Sequence, residues 1–134
     1  MTKPSEERLI DPSPRSRDRA WGAAFVAALL SALIGGGAAL NDAPGDRPGG
    51  ILILVVLALA GLAVFPVRQQ PLALARRFVA IGVVQALAAG TMIAQGWGEI
   101  SVLALINGIL VVSWLLAAAL FFAAARRFPA AKER

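Results

Sequence analysis

Six polar side chains interrupt the long apolar runs of this 134-residue chain: Ser31, Gln85, Thr91, Ser101, Asn107 and Ser113. None of them ionises, so none can carry a proton or act alone as an acid or base. An uncharged amide or hydroxyl in apolar surroundings can bridge two helices, line a path for a polar solute, or mark a surface for a partner. Gln85, Thr91, Asn107 and Ser113 fall on the last two apolar runs and are the candidates for such a pathway or partner contact. By helix rise, Gln85 and Ser113 share one depth and Thr91 and Asn107 another, symmetric about a turn near residue 99. Positions six apart on a helix differ by about 240° in direction, so both pairs cannot point across one helix contact.

The residue types that are missing narrow the chemistry further. The chain has no Cys, no His and no Tyr. Disulfides, thiolate nucleophiles, Cys-ligated zinc and iron–sulfur clusters are excluded, as is His ligation of haem or metal. A Ser or Thr nucleophile needs a positioned base, and the only bases are Lys3, Lys132 and acids outside the apolar runs. No cofactor, no metal site and no enzymatic activity are expected.

The elements that must position the polar residues are membrane spans. Hydrophobic residues make up 58% of the chain and charged residues 16%, against about 45–50% and about 25% in ordinary soluble domains. Residues 21–125 hold only seven charges: Asp42, Asp46, Arg47, Arg68, Arg76, Arg77 and Glu99. Four apolar runs follow, at about 21–40, 51–67, 73–95 and 100–125, and a run of about 20 residues matches one hydrocarbon thickness. The fold class is therefore all-α integral membrane protein, with four transmembrane helices as two antiparallel hairpins. Residues 41–50 (NDAPGDRPGG) are dense in turn formers and read as a loop. Residues 1–20 carry nine charges and three prolines and read as a flexible arm, and residues 126–134 as a basic tail.

Charge placement gives the orientation. Lys3, Arg8, Arg15, Arg17 and Arg19, then Arg68, Arg76 and Arg77, then Arg126, Arg127, Lys132 and Arg134 all fall on one side; only Arg47 falls on the other. The positive-inside rule puts both termini in the cytoplasm, in a membrane read as the bacterial inner membrane. The same rule accounts for the sequence pI near 11.4 without a nucleic-acid partner, since no nucleic-acid-binding module accompanies the charge. Arg68, Arg76 and Arg77 are candidates for contact with anionic lipid.

Burial alone does not join helices in lipid, whereas small residues let backbones approach. The first run carries two adjacent four-spaced rows, Ala20, Ala24, Ala28, Ala32, Gly36 and Ala23, Ala27, Ser31, Gly35, Ala39, and the third carries Gly82, Ala86, Gly90, Ala94. From these, Ala28, Ala32 and Gly36, and Gly82, Ala86 and Gly90, are the candidate packing positions. The second run has no comparable row and is expected to face lipid over much of its surface. These features point to a small non-catalytic membrane protein, an accessory or assembly subunit docking on a larger membrane complex. The alternative is a small homo-oligomeric transporter, channel or lipid-translocating protein that uses the polar residues of the third and fourth runs.

Overall fold

A computed structural model describes residues 12–41 and 45–127. The residues of the expected arm before 12, of the first loop at 42–44 and of the tail after 127 lie outside the described residues. All regular structure among the described residues is helical: α1 (Pro12–Ala39), α2 (Asp46–Val64), a 3-10 turn (Phe65–Val67), α3 (Pro71–Ala94) and α4 (Ile100–Arg127). Four helices are long and apolar enough to cross a membrane.

Prolines set several of the boundaries. Pro71 opens α3, where its missing N–H costs no hydrogen bond. Pro66 lies inside the 3-10 turn that ends α2. Two starts differ from the sequence expectation. α1 begins nine residues before Trp21, so residues 12–20 of the expected arm are helical. Pro12 and Pro14 fall in the first turn, where they are tolerated. From Arg15 onward nothing breaks the helix, and it extends cooperatively from the apolar run. α2 begins at Asp46, so Arg47-Pro48-Gly49-Gly50 form its first turns rather than a loop. Pro48 is again early enough to need no N–H partner. Gly45, at φ 86°, caps this start in the left-handed region.

Chain-consecutive helices pack on one another and α1 closes on α4, with the α2–α3 contact the slightest of these. Gly50 is why α1 and α2 meet closely. A Cβ there would overlap the Gly35 carbonyl oxygen and the Ala39 amide nitrogen. A Cβ on Gly35 would in turn sit 3.0 Å from Ile53 Cγ2 and 3.1 Å from the Gly50 carbonyl oxygen. The Arg47 guanidinium donates from Nε to the Ala39 carbonyl at 3.2 Å, tying the end of α1 to the start of α2. At the other end of the bundle, α1 presents Ala20, Ala24 and Ala27 to the core, where α4 buries Ala117, Ala118, Ala124 and Ala125. Between these small residues sits an aromatic cluster. Phe121 makes an edge contact with Trp21 at 5.1 Å and stacks on Phe78 at 5.4 Å, and Phe78 stacks on Trp114 at 5.9 Å.

The outside is as apolar as the core. Phe25, Leu33, Leu62, Leu87, Leu105 and Val112 are each more than half exposed. In water such a surface would aggregate. In a bilayer it is the lipid-facing surface of an integral membrane protein.

Candidate functional site

The polar residues of α3 and α4 are brought together as one buried pair and two isolated hydroxyls. Gln85 and Asn107 are both fully enclosed, and Gln85 donates from Nε2 to Asn107 Oδ1 at 2.7 Å. Asn107 Nδ2 donates to the Leu103 carbonyl at 3.0 Å and lies 3.5 Å from Met92 Sδ. Thr91 Oγ1 donates back to the Leu87 carbonyl at 3.1 Å, and Ser113 Oγ to the Ile109 carbonyl at 2.8 Å. Those two bonds are each one turn back within their own helix. The depth pairing expected from sequence, Gln85 with Ser113 and Thr91 with Asn107, is thus replaced by Gln85 with Asn107. The helices pair about a point nearer residue 96 than 99: α3 ends at Ala94 and α4 starts at Ile100, so the turn between them is centred near 97. Ser101 is exposed at the start of α4.

Among the described residues, three buried polar atoms have no hydrogen-bond partner: Ser31 Oγ on α1, Gln85 Oε1 on α3 and Trp114 Nε1 on α4. Two are hydrogen-bond donors or can be, and one is an acceptor, each on a different helix. Ser31 packs inward on α1, between Ala27 and Gly35. Trp114 carried no weight in the sequence reading, yet among the described residues it is the largest fully buried side chain. Its sequence signal was its place well inside a span, since Trp otherwise collects at span ends.

The arginines at the end of the bundle that holds Trp21 and Phe121 divide by role. Arg77 donates from Nη1 to the Ala63 carbonyl at 2.9 Å, filling an acceptor that the end of α2 leaves open. Arg68 donates from Nη1 to the Phe65 carbonyl at 2.9 Å and lies 4.1 Å from the Phe65 ring centroid, a cation–π distance. Arg76 is exposed on α3.

The six small residues named as packing positions are split by the structure. Gly82 is buried, and a Cβ there would lie 2.9 Å from Leu115 Cδ2. Ala28 and Gly36 are half-buried, and a Cβ on Gly36 would meet nothing within 4 Å. Ala32, Ala86 and Gly90 are exposed, and Gly90 too has open space at its Cβ position. The face α1 turns inward runs through Ala20, Ala24, Ala27, Ser31 and Gly35, drawing on both of the rows read from the sequence. Gly50, where α1 and α2 approach closely, was missed because it reads as a turn residue beside Pro48 and Gly49.

What these groups can do chemically is limited to hydrogen bonding and packing. Among the described residues, no three His, Cys, Asp or Glu side chains stand together. No hydroxyl described above has a base beside it, and the amides are neutral. Comparison with family models, with curated protein sequences and with solved structures finds no match to this chain.

Proposed function

We propose that the protein is a non-catalytic subunit of a larger membrane assembly, built to be packed against by a partner's transmembrane helix. The observation that carries this reading is the outward row Ala86, Gly90 and Ala94 on α3. These residues recur every four positions and are exposed, and a Cβ on Gly90 would meet nothing within 4 Å. In lipid, small residues in such a row are what let a second helix come close. The polar residues lend support because they are already committed. Gln85 and Asn107 bond each other, and Thr91 and Ser113 bond their own helices. A polar path through one copy would need those groups free to face a solute.

The arrangement that fits this role has α1–α2 and α3–α4 as two antiparallel hairpins, with both termini in the cytoplasm of a bacterial inner membrane. A homo-oligomeric transporter is the second reading. Thr91 favours it, since its exposed side chain flanks the same outward row. A path would then run between copies.

The test is native mass spectrometry of the full chain extracted from its own membrane in mild detergent. A stoichiometric complex with other subunits is expected, and Ala86→Leu with Gly90→Leu should release the protein from it. Neither change intrudes on the chain's own packing, because both positions face outward. A homo-oligomer that conducts in liposomes would favour the transporter instead. A lone monomer unaffected by the two changes would refute both.

A further inference from the structure

Between α1 and α2 lies an apolar groove of about 260 Å³, with Trp21 and Ala28 on one wall and Gly61 and Val64 on the other. Phe78 and Trp114 form its floor. It opens outward, since Phe25 and Gly61 on its rim are exposed. From Trp21 to Ala28 it follows α1 for about 10 Å by helix rise, about two thirds of one hydrocarbon leaflet. Both walls continue into a cation at the same end of the bundle. Arg17 is exposed on the stripe of α1 that carries Trp21, one turn beyond it. Arg68 is exposed four residues beyond Val64, where the 3-10 turn closes α2. Its Nη1 is held by the Phe65 carbonyl, which fixes the guanidinium beside the ring and leaves its other N–H groups to donate elsewhere.

A slot that is apolar along its depth and doubly cationic at its mouth matches one kind of occupant. We infer that the groove between α1 and α2 is a binding site for an anionic phospholipid, with an acyl chain between the two helices and the phosphate on Arg17 and Arg68. The charge at the mouth is what separates this occupant from a neighbouring apolar helix, which would gain nothing from two arginines. Trp21 sits at the boundary between chain and headgroup, where its amphipathic ring is favoured.

The test is native mass spectrometry of the full chain in mild detergent, with dioleoyl phosphatidylglycerol and dioleoyl phosphatidylcholine supplied in equal amounts. One phosphatidylglycerol should be retained in preference to phosphatidylcholine. Arg17→Gln and Arg68→Gln should each weaken retention about fivefold, the equivalent of about 1 kcal/mol for a basic residue at an anionic surface. Gly61→Leu fills the groove from a position where a Cβ meets nothing within 4 Å, so the fold is kept and retention should be lost with both arginines in place. Equal retention of the two lipids would overturn the inference. So would loss on removing the arginines without loss in Gly61→Leu, which would mean a headgroup contact with no chain in the groove. A protein complex or dimer dispersed by Gly61→Leu while lipid retention stays unchanged would assign the groove to a protein and equally overturn it.

Discussion

Removing the two buried amides one at a time should have unequal effects, and the inequality follows from which atoms each removal strands. Gln85 gives one hydrogen bond to Asn107, and its own Oε1 has no partner. Replacing it by Met, similar in size, leaves Asn107 Oδ1 unpaired but removes the already unpaired Oε1. The expected cost of Gln85→Met is about 0–1 kcal/mol. Asn107→Leu removes the acceptor of that bond together with the donor to the Leu103 carbonyl, and it leaves both ends of the Gln85 amide buried and unpaired. Its expected cost is about 2 kcal/mol, within the range for stranding a buried polar group. The double variant strands neither side chain and should be less destabilised than the sum of the two. The expected coupling is about 1 kcal/mol, between the average of about 0.6 and the maximum of about 1.7 found for such bonds in a bilayer. Reversible unfolding in mixed micelles of rising SDS fraction measures all three variants, with the fluorescence of buried Trp114 as a probe. Additive single effects, or a larger cost for Gln85→Met than for Asn107→Leu, would refute the reasoning.

Four further outcomes are expected from the same unfolding assay. Gly50→Ala should destabilise by about 3 kcal/mol, the upper end of the usual overpacking range, because the new methyl meets backbone atoms of α1 rather than a side chain that can swing away. Gly90→Ala, with open space around it, should instead stabilise the isolated chain by about 1 kcal/mol through helix propensity. Phe121→Ala should cost about 3 kcal/mol by opening a cavity between Trp21 and Phe78, seen as a change in Trp emission from the folded protein. Arg77→Gln should cost about 1 kcal/mol by unpairing the Ala63 carbonyl, and a variant as stable as the parent would show that water or lipid replaces that bond without loss.

The four spans were legible because apolar length is a strong signal, and α4 begins at the expected residue, Ile100. α3 runs from Pro71 to Ala94, within two residues of the expected limits at each end. What the sequence hid has physical causes. Pro12, Pro14 and Pro48 look like helix breakers, but each lies in a first turn, where proline breaks nothing. The polar residues were recognised as a set but joined wrongly, since a depth count depends on where the turn is centred. A shift of about three residues in that centre moves the expected partner twice as far, from Ser113 to Asn107, about 9 Å along the helix.

The small residues hid for a deeper reason. In a soluble helix the buried face is betrayed by contrast, apolar inside and polar outside. Here both sides of each helix are apolar, so Ala27 in the core and Ala32 on the surface look alike in sequence. The same four-residue spacing recurs on inward and outward faces, and only the fold separates them. That separation is what gives the outward row its meaning. Gly35, Gly50 and Gly82 are accounted for by close contacts inside the chain. Gly90 is small beside open space, where Leu would extend the helix better and face lipid equally well. A residue that costs helix stability and serves no contact within its own chain is explained if the contact it serves belongs to another. Gly90→Leu should therefore leave the isolated protein at least as stable as the parent while removing it from its complex. Loss of stability without loss of the complex would refute that explanation.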